Sequence, residues 1–127
     1  MSRRSHFVLL VLWTLEVCVV AVGSLLPESA IPFKRLPSDK VLHFWGYFVA
    51  AALAPFAFER VRASVLIAAA LIGLGIAIEY AQRAMSMGRS WDPYDIAANA
   101  VGVVAGLMLA VVVRGLFGRP REPADPL

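Results

Sequence analysis

The sequence predicts an all-α fold, a small polytopic membrane bundle of four transmembrane helices. Hydrophobic residues make up 60% of the 127 residues and charged residues only 17%, whereas soluble domains average about 45–50% apolar and roughly 25% charged. Four apolar runs are each long enough to cross a hydrocarbon layer of about 30 Å, which requires around 20 helical residues. Backbone polar groups in lipid must be satisfied within their own segment, so we expect these runs to be helices.

The predicted helices are separated by stretches of turn-forming or charged residues. They cover about residues 7–26, 41–58, 63–82 and 96–117. Pro27, Pro32 and Pro37 mark the first connection as a loop. Residues 118–127 contain three prolines and charges of both signs, which predicts a disordered cytoplasmic tail.

The first apolar run has features of a secretory signal, because Arg3 and Arg4 precede it. Its length and the central Glu16 favour an uncleaved helix instead. Two interpretations of Glu16 stay open: a polar partner inside the bundle, or a contact in a homo-oligomer. Cys18 is the only cysteine, so an intramolecular disulfide is excluded, and we expect it to be a packing residue.

The basic residues predict that both termini lie in the cytoplasm. In that orientation seven Lys and Arg residues lie inside and five outside, and an excess of positive charge on the cytoplasmic side is the general rule. The net charge of +3 does not indicate nucleic-acid binding, because the basic residues are dispersed at segment ends rather than gathered in a stripe.

In this orientation the polar side chains of three helices gather at the outer end of the bundle. Spacings of three and four residues place side chains on one helix face, and each helix has such a stripe. The stripes are Lys40, His43 and Tyr47 after Asp39; Glu79 and Gln82; and Asp92, Asp95 and Asn99 after Arg89.

Each polar stripe continues into small residues, which let membrane helices approach closely. Gly102-x-x-x-Gly106 is the clearest instance, and Gly46, Ala50 and Ala54 form a second ridge. We therefore expect the second, third and fourth helices to pack through these ridges.

The motifs Asp39-Lys40-x-x-His43-Phe44-x-x-Tyr47, Glu79-x-x-Gln82 and Arg89-x-x-Asp92-x-x-Asp95-x-x-x-Asn99-x-x-Gly102 occur in an order that resembles the VanZ-like family of bacterial integral membrane proteins. The resemblance covers roughly residues 36–110 and implies a VanZ-like domain over residues 1–117 in the bacterial cytoplasmic (inner) membrane. It also implies a link to resistance against the glycopeptide teicoplanin. The family's polar signature falls here on Asp39, Lys40, His43, Tyr47, Glu79, Gln82, Arg89, Asp95 and Asn99.

Local structure accounts for part of this polarity. Asp92 is expected to cap the fourth helix, with Pro93 at its first position and Asp95 in its first turn. A structural role and a functional role of His43 both stay open, because a buried imidazole needs a hydrogen-bond partner in either case.

Two functions remain open. In the first, the outer polar residues bind an envelope-related amphiphile, either lipid-linked or glycopeptide-like. In the second, the chain is a membrane-embedded enzyme in which His43 and Glu79 act as acid and base, with Asp95 as a further catalytic candidate. One imidazole and two carboxylates make a poor zinc set, so the sequence predicts no metal and no cofactor.

Overall fold

The computed structural model describes residues 2–26, 38–58, 61–85 and 92–117. These residues form four α-helices: α1 (Arg3–Leu25), α2 (Asp39–Ala57), α3 (Val61–Met85) and α4 (Pro93–Phe117). All four are long and apolar enough to cross a bilayer. The prediction of an all-α, multi-pass membrane protein is confirmed. The predicted tail, residues 118–127, and Arg89 lie outside the described residues.

All four helices begin two to four residues before the predicted apolar runs, because the polar residues that precede such a run are also helical. Ser2 accepts a hydrogen bond from the Ser5 backbone N–H at 3.1 Å, so α1 begins at Arg3 rather than at residue 7. Similarly, α2 begins at Asp39, α3 at Val61 and α4 at Pro93, and α3 runs on to Met85. Residues near an interface stay helical beyond the hydrocarbon layer.

The core of the bundle is the close pairing of α2 and α4. A Cβ atom on Gly102 would overlap the carbonyl oxygen of Phe44, and one on Gly106 would overlap that of Phe48. The two backbones are therefore in direct contact, as the Gly-x-x-x-Gly motif predicts. Tyr47 is fully buried in a core cluster that includes Leu71 of α3 and Val103 of α4.

The second small-residue ridge has a partner that the sequence prediction did not include. Gly46 faces α1, where an added Cβ would lie 2.8 Å from the Cγ2 atom of Val20. The Trp13 indole N–H donates to the carbonyl of Ala50 at 2.9 Å. The ridge therefore also contacts α1, because the rotation of α2 turns one edge of it toward that helix.

The outward surface of the bundle is apolar. No residue of α1 is buried, and large hydrophobic side chains of all four helices are exposed. In water this surface would be unfavourable, whereas in a bilayer it contacts acyl chains. Lipid is therefore the environment in which this fold is stable.

Candidate functional site

Six buried polar side chains gather at one end of the bundle, where α1 and α3 end and α2 and α4 begin. We call them the polar site: His43, Tyr47, Glu79, Gln82, Asp95 and Asn99. They come from three helices, and each is less than a tenth exposed. Ionisable groups at such a depth are costly and usually functional.

His43 and Asn99 form the central hydrogen bond of the polar site. The His43 Nδ1 atom lies 2.9 Å from the Asn99 Oδ1 atom. An amide oxygen only accepts, so the imidazole donates through Nδ1. The Nε2 atom then faces two carboxylates, with Asp39 Oδ1 at 3.8 Å and Glu79 Oε1 at 4.0 Å. The orientation of this ring is thus set by α4, while its free edge faces α3 and the start of α2.

Glu79 is fully buried, yet neither of its carboxylate oxygens has a hydrogen bond among the described residues. The backbone N–H of Asp92 approaches this carboxylate, but too loosely to form a hydrogen bond. The hydroxyl of Tyr47 is also buried and has no hydrogen-bond partner among the residues that the structure describes. Unsatisfied buried polar groups cost about 1–3 kcal/mol each, and natural proteins retain them chiefly where function requires them.

Lys40 and Asp92, which we call the rim pair, lie where the polar site approaches the bundle surface. The Lys40 Nζ atom donates to Asp92 Oδ2 at 2.5 Å and lies 3.4 Å from Asp95 Oδ1. The side chains of Lys40 and Asp92 are 48% and 28% exposed, so this end of the site is accessible. The rim pair also ties the first turn of α2 to the start of α4.

The start of α4 has the predicted capping geometry. The Asp92 Oδ1 atom accepts from the Tyr94 backbone N–H at 2.8 Å, Pro93 is the first helical residue and Asp95 lies in the first turn. Unlike an ordinary first-turn acid, Asp95 is buried. Capping therefore explains Asp92 but not the burial of Asp95.

Asp92 predicts a pH dependence of stability. The hydrogen bond from Lys40, followed by that from the Tyr94 N–H, lowers the pKa of Asp92 below its usual value of 3.8. A lowered pKa in the folded state means that this carboxylate stabilises the fold above its unfolded pKa, and that the stabilisation is lost as the pH falls through the folded value. Asparagine caps helices as well as aspartate does but cannot form the ion pair.

We therefore expect acidification from about pH 6 to about pH 3 to lower the melting temperature of the wild type more than that of Asp92→Asn. Thermal unfolding of the detergent-solubilised protein, followed by circular dichroism across this range, measures the difference. The other carboxylates are common to both proteins and serve as the internal control. Parallel pH profiles would show that the rim pair does not contribute.

Two contributors to the site were absent from the sequence prediction. The Gln82 side-chain amide donates to the carbonyl of Ser24 at 2.6 Å, so the end of α1 adjoins the site. Gly75 lies one turn before Glu79, and a Cβ there would lie 2.8 Å from the Asn99 Nδ2 atom. The four-residue spacing between Gly75 and Glu79 places both on one helix face, so the sequence could have indicated that Gly75 adjoins the site. Nothing in the sequence indicates the Ser24 carbonyl.

The structure thus brings together nine of the ten predicted site residues, and the tenth, Arg89, lies outside the described residues. Compared with known proteins, the chain matches no family model, no curated protein and no solved structure. Its function has to be inferred from the site itself.

Among the described ion pairs in and around the polar site, carboxylates outnumber basic groups. The carboxylates of Asp39, Glu79, Asp92 and Asp95 are accompanied by one described amine, Lys40, and one imidazole, His43. An excess of carboxylates favours cations and hydrogen-bond donors.

Proposed function

We propose that this chain is a VanZ-like protein of the bacterial cytoplasmic membrane that binds the polar head of an amphiphilic, envelope-related ligand. The single observation that carries the proposal is Glu79: a fully buried carboxylate that forms no hydrogen bond with the described residues, 4.0 Å from the imidazole of His43. A carboxylate retained at such cost is a candidate binding group.

The shape of the site supports an amphiphile as the ligand. The polar site lies at one end of helices whose remaining surface is apolar, and the rim pair is partly exposed. A ligand with its acyl portion in the bilayer presents its head group at this depth. The acidic surroundings favour a head group that carries amines or several hydrogen-bond donors.

The orientation is part of the proposal. With both termini in the cytoplasm, as the distribution of basic residues favours, the polar site faces the outside of the cell. Lipid-linked envelope precursors and glycopeptides such as teicoplanin are both encountered at that face. The resemblance to the VanZ-like family suggests teicoplanin susceptibility as the phenotype to measure.

The test compares teicoplanin susceptibility in a sensitive bacterium with and without the chain. Expression is expected to raise the inhibitory concentration several-fold, and Glu79→Gln and His43→Asn are expected to abolish the increase. Glu16→Gln and His6→Asn are matched controls, because they make the same chemical changes in α1, and they should retain it. Membrane levels of every variant are compared by immunoblot.

A result in which all five proteins behave alike, at equal membrane levels, would contradict the proposal. So would an unchanged inhibitory concentration combined with no measurable binding of a lipid-linked precursor or of teicoplanin to the purified protein.

The second candidate function is an enzyme, and the approach of His43 Nε2 to Glu79 Oε1 favours it. A carboxylate next to an imidazole forms a usable acid–base pair, with the rim amine of Lys40 placed to bind an anionic group. In this case the purified chain converts a lipid-linked precursor, and His43→Asn binds that precursor but does not convert it. Binding without conversion by the wild type favours the first function.

A further inference from the structure

Three side chains at the outer part of the polar site have the separation of a metal-binding set. One ligand atom each from Asp39, His43 and Asp95 lies within 4.8 Å of the others. Asp39 and His43 come from adjacent turns of α2, and Asp95 comes from the first turn of α4. Glu79 adds an oxygen from α3, 4.0 Å from His43 Nε2.

The imidazole of His43 is oriented as a ligand would be. Its Nδ1–H donates to Asn99 Oδ1 at 2.9 Å, so the lone pair of the neutral ring is on Nε2. That atom faces Asp39 Oδ1 at 3.8 Å and Glu79 Oε1 at 4.0 Å. Histidines that bind metals almost always donate their other N–H to an oxygen acceptor in this way. Asn99 is therefore a positioning residue for the ring.

Glu79 provides an independent observation that points to a ligand. Its side chain is fully buried and faces the Nε2 edge of His43, and both of its oxygens lack hydrogen bonds among the described residues. Carboxylate oxygens and an imidazole lone pair that face one another are mutually unfavourable, unless a proton or a cation lies between them.

The positions of the oxygens distinguish between these two possibilities. Asp39 Oδ1 and Glu79 Oε1 lie at similar distances from His43 Nε2, 3.8 and 4.0 Å, and a proton on Nε2 is directed at one oxygen at a time. A divalent ion between them supplies a ligand position for each oxygen and for the imidazole. A divalent ion therefore fits this arrangement better than a proton.

We propose that Asp39, His43, Glu79 and Asp95 bind one divalent first-row transition-metal ion. Imidazole favours zinc and iron and carboxylates favour manganese, so Mn²⁺ and Zn²⁺ are the probes of choice. Adjacent ligands of a six-coordinate ion lie about 3 Å apart and opposite ligands about 4.2 Å, and the observed separations of 3.8 and 4.0 Å fall between these values. The trio considered from the sequence lacked Asp39, which the structure places beside the imidazole.

This inference rests on the proposed function to the extent that the same residues form the ligand site. A metal ion bound by these four residues also gives the site a means of holding an anionic group of the head, such as a phosphate. Metal binding itself requires no head group, so the two can be measured separately.

The experiment titrates the purified full-length protein in detergent, freed of metals by chelation, with Mn²⁺ and follows the electron paramagnetic resonance signal. We expect one Mn²⁺ ion per chain, displaced by Zn²⁺, and a pulsed spectrum with coupling to a single imidazole nitrogen. That coupling should disappear in His43→Asn and persist in His6→Asn.

Two further variants separate a metal site from a structural cluster. Glu79→Gln removes a ligand and should weaken Mn²⁺ binding at least tenfold, whereas Glu16→Gln, the same change in α1, should leave it unaltered. Asn99→Ala removes only the acceptor of the imidazole N–H, and loss of such a partner typically costs 10–100-fold in affinity. Gel filtration and circular dichroism establish that each variant is folded.

The proposal is overturned if the folded wild type binds neither Mn²⁺ nor Zn²⁺ stoichiometrically at about 1 mM, the weak end of specific cation sites. It is equally overturned if binding occurs without the imidazole coupling. Both measurements are made on the wild type, so they decide the question even if a variant fails to fold. If the protein binds no metal but still changes teicoplanin susceptibility, only this inference is contradicted. If it binds metal but neither changes susceptibility nor binds a precursor, only the proposed function is contradicted.

Discussion

Replacing Gly106 with alanine is expected to lower the stability of the bundle by about 1–3 kcal/mol, the usual cost of overpacking a core. The new methyl group would overlap the carbonyl oxygen of Phe48, and the Ala52 backbone nitrogen would lie 3.0 Å away. Because the neighbour is backbone rather than a flexible side chain, α2 and α4 can only relieve the overlap by moving apart. The movement would also shift Asn99 relative to His43, since these residues lie on the two separating helices.

Thermal unfolding in detergent, followed by circular dichroism, measures this loss. Gly115→Ala is the matched control on the same helix, because no described residue lies within 4 Å of a Cβ at that position. There the higher helix propensity of alanine should leave stability unchanged or raise it by up to about 1 kcal/mol. Equal melting temperatures for the two variants would show that α2 and α4 are not in backbone contact.

Glu79→Gln is expected to act in opposite directions on stability and function. The wild-type carboxylate is fully buried and forms no hydrogen bond within the described part of the chain. Replacing poorly compensated buried charges with neutral groups of similar volume is often neutral or stabilising by about 1–4 kcal/mol. We therefore expect the variant, measured with chelator present, to melt several degrees above the wild type. Any activity that depends on the site should be lost at the same time.

Melting curves and the susceptibility assay, carried out on the same variant, test this trade-off. Glu16→Gln is the matched control, since Glu16 lies in α1, which has no buried residue, and neither effect is expected there. If Glu79→Gln lowered the melting temperature, the carboxylate would have a structural role, and the case for a retained functional charge would fail.

Much of this architecture was accessible from the sequence. The number of helices follows from the length of the apolar runs, because lipid leaves the backbone no alternative to internal hydrogen bonding. The start of α4 was equally accessible, since Asp92 and Pro93 form a cap through contacts within a few residues. The side chains of Lys40, His43 and Tyr47 were correctly placed on one face of α2 by their spacing alone.

Only the tertiary structure decided which of these side chains meet. A spacing of three or four residues defines a helix face but not the rotation of that helix against its neighbours. For this reason the pairing of His43 with Asn99, the position of Asp39 beside the imidazole and the turn of Gly46 toward α1 could not be predicted. Local hydrogen bonding and burial in lipid act along the chain, so the sequence determined the helices, whereas packing between helices determined the site.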